Sequence, residues 1–146
     1  MQMHTNQSSA PKRFWRFNIF WIGWLAILSY LCDKRPQELP EIGLLQFEGA
    51  DKLVHFIFYF TLSNLLLFGF KMQSAYPVLK KNTYKIVFVF AFVWGGIIEL
   101  SQKFFFTYRF AEWEDQIANI LGVLMAFVFF KTIAEKLIFK YGNQEN

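Results

Sequence analysis

Four long apolar runs alternate with short polar segments along the chain, at about residues 14–32, 53–70, 86–101 and 117–134. The runs are continuous and lack the alternation of polar and apolar positions typical of a half-buried strand, which favours helices. Each run approaches or reaches the ~17 to 25 residues that a helix needs to cross a bilayer. The four prolines all lie outside the runs, where they interrupt no predicted helix.

Only helices or closed barrels satisfy the backbone in lipid, and four strands cannot close a barrel. The pattern therefore predicts an all-α protein, an integral membrane four-helix bundle over residues 14–140 that follows a disordered tail at 1–13. Composition agrees with this class, since 55% of the 146 residues are hydrophobic and 20 are Phe. A soluble domain of this size has too little interior for that much apolar surface. The single cysteine excludes an internal disulfide and gives no metal-site spacing.

The basic residues predict the orientation of the bundle. With the amino terminus inside, the outer segments hold five basic residues: Lys34, Arg35, Lys52, Lys103 and Arg109. The cytoplasmic segments hold ten: Lys12, Arg13, Arg16, Lys71, Lys80, Lys81, Lys85, Lys131, Lys136 and Lys140. This bias predicts that both termini are cytoplasmic. The net charge of +4 is thus a topology signal, and no basic helix or glycine-rich phosphate loop indicates a nucleic-acid partner.

The unusual polar residues gather at the predicted outer ends of the second, third and fourth helices. They form a candidate functional rim: Asp51, Lys52, His55, Tyr59, Glu99, Gln102, Arg109, Asp115 and Asn119. Asp51, His55 and Tyr59 are four residues apart, so they share one face of a helix. Asp51 also suits the simpler role of a helix N-cap.

Glu99 lies inside a run that otherwise suits lipid. An ionised carboxylate in a membrane span is costly, and such residues usually face the bundle interior and pair with another group. We therefore expect Glu99 to lie inside the bundle, ionised and paired with His55, Lys52 or Arg109. The competing interpretation is a Glu99 that points to the lipid headgroups.

Small residues next to the rim predict close helix packing: Gly95, Gly96, Ala118, Gly122 and Ala126. The last three recur every four residues on the fourth helix, a pattern typical of helix contacts in membranes. We expect the third and fourth helices to approach each other here and to bring Glu99 towards Asn119. A homodimer face is the alternative use of the same pattern.

Three short segments carry a resemblance to a known family. DKLVHFIFYF, ELSQKFFFTYRF and EDQIANILG resemble, in this order, three signatures of VanZ-like membrane proteins. The family pattern falls on Lys52, His55, Tyr59, Glu99, Gln102, Arg109, Asp115, Asn119 and Gly122, while Ala126 stands where many relatives have a further glycine. The resemblance implies a small multi-pass protein of the bacterial cytoplasmic (inner) membrane. It also implies a link to low-level teicoplanin resistance, with which the named member of the family is associated.

Two functions of different classes fit the rim. The first is a binding protein for a membrane lipid, a cell-wall precursor or a glycopeptide, in which Arg109 and Lys52 hold a phosphate or carboxylate. The second is a membrane enzyme for a lipid-linked substrate. His55 would be its acid or base, Glu99 or Asp115 would orient that histidine, and Arg109 would stabilise an anion.

His55, Glu99 and Asp115 also have the chemistry to hold a divalent metal, although the sequence does not show how far apart they lie. No cofactor or metal is assigned from the sequence. Ion transport is disfavoured because the helices beyond Glu99 and Asn119 contain no ladder of ionisable groups.

Overall fold

The computed structural model describes residues 10–32, 49–105 and 112–137, and within these ranges the regular elements are helices. In chain order they are α1 (Ala10–Cys32), α2 (Ala50–Met72), α3 (Pro77–Lys81), α4 (Thr83–Phe105) and α5 (Trp113–Phe129). A turn of π-helix at Phe130–Ala134 continues α5. Four of these helices, with α5 extended to Leu137, are long and apolar enough to cross a membrane. The predicted all-α bundle with four spans is confirmed.

The helix boundaries differ from the predicted spans at their amino-terminal ends. α1 begins at Ala10, inside the segment expected to be a tail, and Pro11 stands in its first turn, where a missing N–H removes no helical hydrogen bond. Gly49 precedes α2 in the left-handed region, with φ 87°. Asp51 is therefore not the N-cap. It lies in the first turn of α2, where a negative charge interacts favourably with the helix dipole.

The four long helices alternate in direction along the chain, and α2 lies at the centre of the bundle. This central helix contacts α1, α4 and α5, and its contact with α5 is the most extensive. At one end of the bundle, Lys52 of α2 meets Glu112 just before α5. At the other end, Lys71 of α2 meets Glu135 on the extension of α5. We call the first of these the polar end and the second the opposite end.

α1 is held against α2 by a polar contact near the opposite end. Asn18 is fully buried, and its Nδ2 donates to Gly69 O of α2 at 3.4 Å and to Phe14 O within α1 at 2.8 Å. Its Oδ1 accepts a hydrogen bond from Trp21 Nε1 at 2.8 Å. The contact requires a glycine on α2, because a Cβ at Gly69 would lie 2.6 Å from Asn18 Oδ1 and 3.0 Å from Phe17 O.

The small residues of α5 face α2 and not α4, which differs from the expected packing. A Cβ at Gly122 would lie 3.0 Å from Phe60 N and 3.2 Å from Phe56 C, both backbone atoms of α2. Ala118 and Ala126, one turn away on either side, are buried on the same face. Gly122 therefore allows the two helix backbones to approach closely.

The two glycines of α4 have different surroundings. A Cβ at Gly95 would lie 2.7 Å from Gln116 Oε1 and 3.1 Å from Asn119 Nδ2, so this glycine brings α4 close to α5. Gly96 has nothing within 4 Å of such a Cβ. Of the pair, Gly95 is the one that makes room for polar side chains at the polar end.

Candidate functional site

Three ionisable side chains from three helices converge at the polar end. His55 of α2, Glu99 of α4 and Asp115 of α5 are 2%, 8% and 5% exposed. One ligand atom from each residue lies within 4.8 Å of those of the other two. His55 Nε2 is 3.8 Å from Asp115 Oδ2. We call these three residues the His–Glu–Asp cluster.

Helical spacing explains why each member of the cluster faces inward. His55 precedes the fully buried Tyr59 by four residues and shares its face of α2. Glu99 follows Gly95 by four residues and therefore lies on the face of α4 that packs against α5. Asp115 stands in the first turn of α5, one turn before Asn119, and both are buried.

Asn119 fixes the orientation of the His55 ring. His55 Nδ1 lies 3.1 Å from Asn119 Oδ1. The amide of Asn119 is oriented by a hydrogen bond from its Nδ2 to Gln116 Oε1 at 3.4 Å. Because an amide oxygen can only accept, Nδ1 of His55 is the donor. In neutral His55 the lone pair then resides on Nε2, the atom that faces Asp115.

Lys52 lies among carboxylates at the solvent side of the cluster. Its Nζ is 2.8 Å from Glu112, 3.2 Å from Asp51, 3.3 Å from Glu114 and 3.9 Å from Asp115. We call this arrangement the lysine cage. Its outer members are partly exposed, so each of these ion pairs contributes little by itself. Lys52 would have to leave these carboxylates before it could hold a phosphate, the role that the sequence suggested.

One buried polar atom of the cluster and one beside it have no hydrogen-bond partner among the described residues. They are Asp115 Oδ1 and the Tyr59 hydroxyl. The hydroxyl lies close to α4, since a Cβ at Gly95 would be 3.3 Å from it. A buried polar group without a partner costs about 1–3 kcal/mol. Unused hydrogen-bonding capacity of this kind is typical of a site that binds something.

The remaining rim residues have separate positions. Gln102 is buried, and its Nε2 donates to Cys32 O at 2.9 Å, which satisfies a carbonyl in the last turn of α1. Asp51 has a side chain that is 41% exposed and contacts Lys52. Arg109 lies outside the described residues.

Sequence reasoning missed two residues of this region. Glu112 makes the shortest ion pair of the lysine cage, and Gln116 orients the amide of Asn119. The acidic run EWED before the fourth apolar stretch was a signal for Glu112. Gln116 carried no signal, because its role depends on the close approach of α4 at Gly95.

The fold and the cluster define a class of protein: a helical protein with four candidate membrane spans and a buried group of ionisable residues at one end. A family model described as VanZ/LLP1 matches residues 2–135 of this chain. The chain belongs to the VanZ/LLP1 family, which confirms the resemblance of its three segments. Searches of curated proteins and of solved structures found no match.

Proposed function

We propose that this membrane protein binds the headgroup of a lipid or of a lipid-linked cell-wall precursor at the His–Glu–Asp cluster. One observation carries the proposal: three buried ionisable side chains from three helices lie within 4.8 Å of one another. Ionisable residues in membrane helices are costly to bury, and they usually mark a binding site or a pathway. Packing alone would be served better by apolar side chains at these positions.

The position of the cluster favours a lipid as the ligand. Asp115 stands in the first turn of α5 and His55 near the start of α2, so the cluster lies close to the level where spans end and headgroups begin. The outward faces of α4 and α5 are apolar, with Val93, Ile97, Leu121 and Met125 about half exposed. A lipid can therefore lay its chains along these faces while its headgroup reaches the cluster.

We further propose that the protein lies in the bacterial cytoplasmic membrane with its polar end outside. The ten-to-five bias of basic residues supports this orientation. An outward-facing site is accessible to a glycopeptide such as teicoplanin, which is the alternative ligand that the family resemblance suggests. A glycopeptide would reach the cluster through the lysine cage.

Binding by the purified protein tests this proposal. The protein is placed in lipid nanodiscs and given phosphatidylglycerol, polyprenyl phosphate or teicoplanin, one at a time, and retained ligand is measured by native mass spectrometry. We expect Glu99→Gln to weaken retention at least ~10-fold, because it replaces a charged hydrogen-bonding member of the cluster with a neutral amide of the same shape. Glu135→Gln, at the opposite end, is the matched control and should bind as the wild type does. Equal binding by both variants, or no binding by the wild type, would contradict the proposal.

A second candidate function is catalysis on a lipid-linked substrate. The observation that favours it is the orientation of His55, whose Nδ1 contacts Asn119 and whose Nε2 lies 3.8 Å from Asp115. In this arrangement Nε2 can take a proton from an attacking water or hydroxyl, and Asp115 can stabilise the resulting imidazolium. Incubation of each probe with the wild type should then yield a product, and His55→Gln should slow its formation by ~10² to 10⁴. Unchanged probes would reject this candidate.

A further inference from the structure

We propose that His55, Glu99 and Asp115 bind one divalent transition-metal ion of the Zn²⁺ or Mn²⁺ class. The ligands are His55 Nε2 and one oxygen from each carboxylate. This inference deepens the proposed function, but the metal site itself stands on geometry alone. Only the final step, in which the ion holds a headgroup, rests on the proposed function.

The separations within the cluster suit a shared ion. A metal at ~2.0–2.2 Å from each ligand atom keeps those atoms about 3.0–3.6 Å apart. His55 Nε2 and Asp115 Oδ2 are already 3.8 Å apart, too far for a direct hydrogen bond and close to the separation across a metal. All three ligand atoms lie within 4.8 Å of one another, so contraction by about 1 Å completes the site.

The surroundings of His55 are those of a metal-binding histidine. Such a histidine usually donates its other ring N–H to a carbonyl or carboxylate oxygen, which fixes its tautomer and directs it at the ion. Nδ1 of His55 makes this contact with Asn119 Oδ1 at 3.1 Å. The lone pair of Nε2 is then directed towards Asp115, whose Oδ2 lies 3.8 Å away.

The Asp115 carboxylate favours a cation at this place. Glu99 and Asp115 bring two carboxylates into a part of the protein that is nearly inaccessible to solvent. Asp115 Oδ1 has no hydrogen-bond partner among the described residues, and the nearest ammonium of the lysine cage is 3.9 Å away. Each carboxylate has a second oxygen, so an ion can bind one oxygen and leave the other to neighbouring groups.

The donor set selects the kind of ion. An imidazole nitrogen with two carboxylate oxygens suits Zn²⁺ or Mn²⁺, whereas Ca²⁺ and Mg²⁺ prefer oxygen ligands alone. A second acidic group at this end, formed by Asp51, Glu112 and Asp115, differs because the ammonium of Lys52 lies 3.2 Å from Asp51 and 2.8 Å from Glu112. These two carboxylates already have a close cation, whereas Asp115 does not.

A metal at this place would explain how an acidic rim binds an anionic headgroup. Three protein ligands leave at least one coordination position open, as in catalytic zinc sites. A phosphate oxygen of a lipid can take that position, and the ion then offsets the repulsion from the carboxylates around it.

Metal binding by the full-length protein in detergent tests the site. The protein is treated with a chelator, loaded with Zn²⁺ or Mn²⁺, and measured by elemental analysis and by titration. We expect the wild type to bind one ion per chain. Glu99→Gln and Asp115→Asn should each lower the affinity for the ion at least ~100-fold. Asn119→Ala removes the support of His55 and no ligand, so it should lower the affinity about 10- to 100-fold. Glu114→Gln, in the lysine cage, and Glu135→Gln, at the opposite end, are the controls and should bind as the wild type does.

The wild type alone provides a second readout if the variants fail to fold. Pulsed electron paramagnetic resonance of the Mn²⁺-loaded protein should show the nitrogen coupling of one imidazole. A stoichiometry below about 0.1 ion per chain, no nitrogen coupling, or wild-type affinity in both carboxylate variants would overturn the metal site. If the metal binds but none of the probes is retained, the proposed function fails and the metal site stands. If polyprenyl phosphate is retained equally by the chelated protein, the headgroup step fails.

Discussion

Among individual residues, Glu99 and Lys52 show what the sequence reveals about a membrane site. A lone carboxylate in an apolar run identified Glu99 as unusual, and the structure places it within 4.8 Å of ligand atoms of His55 and Asp115. Lys52 has a different setting from the one expected, because the chain returns to α5 through Glu112 and Glu114, whose carboxylates surround its ammonium. The partner of a charged side chain depends on the rotation of helices and the path of loops, which no spacing along one helix specifies.

The lysine cage leads to a prediction about salt. Lys52→Met leaves the carboxylates of Asp51, Glu112, Glu114 and Asp115 without their shared cation, so their repulsion should lower the melting temperature of the protein in detergent. Because the Lys52 side chain is about one-third exposed, we expect the free energy of unfolding to fall by no more than ~1 kcal/mol. The decrease should be larger at 10 mM than at 300 mM salt, because salt screens the repulsion.

Lys103→Met is the control for this prediction, since Lys103 is an exposed residue near the end of α4. It should leave the salt dependence of melting unchanged. An equal response of the two variants would show that the cage contributes nothing specific.

Among the helices, the small-residue pattern was visible in the sequence but its partner was not. Ala118, Gly122 and Ala126 recur at the spacing of one helical face, which correctly indicates a buried face of α5. The pattern contains no information about which neighbour fills that face, and the structure shows α2 and not α4. The short α3 also escaped prediction, because a helix of five residues that begins with a proline leaves no periodic signal.

Two glycine substitutions test the packing of these helices. Gly122→Ala places a methyl group 3.0 Å from a backbone nitrogen of α2, which cannot move away without shifting the helix. We expect the free energy of unfolding, measured with heat or denaturant in detergent, to fall by about 1–3 kcal/mol. Gly96→Ala meets nothing within 4 Å and should be neutral or stabilising by up to ~1 kcal/mol, because alanine favours a helix. Equal stability of the two variants would contradict the close approach of α5 to α2.

At the scale of the whole molecule, the number of spans followed directly from the sequence. Apolar runs of membrane length indicated four helices because lipid leaves the backbone no other way to satisfy its hydrogen bonds. The assembly of the site did not follow, since it depends on three helices meeting at one level. Arg109 remains a prediction of the sequence, as it lies outside the described residues.

The orientation of the molecule is tested by cysteine labelling in intact cells. The native Cys32 is buried and is replaced by alanine to give a background without thiols. In that background we expect Glu114→Cys, at the polar end, to react with a maleimide that cannot cross membranes. Lys80→Cys, in α3, should react only after the cells are made permeable. Labelling of Lys80→Cys from outside would reverse the proposed topology.

The central claim is that His55, Glu99 and Asp115 meet in one buried site, and solid-state nuclear magnetic resonance in lipid bilayers tests it most directly. The chain has two histidines, so ¹⁵N-histidine labelling with His4→Gln leaves the His55 ring as the single histidine signal. Recoupling of this ring to ¹³C-labelled Asp and Glu carboxyl carbons measures their separation. We expect strong dephasing of the Nε2 signal, because Asp115 Oδ2 lies 3.8 Å away, and a clear decrease in Asp115→Leu. An Nε2 signal that the carboxyl carbons leave unchanged would contradict the convergence of these residues.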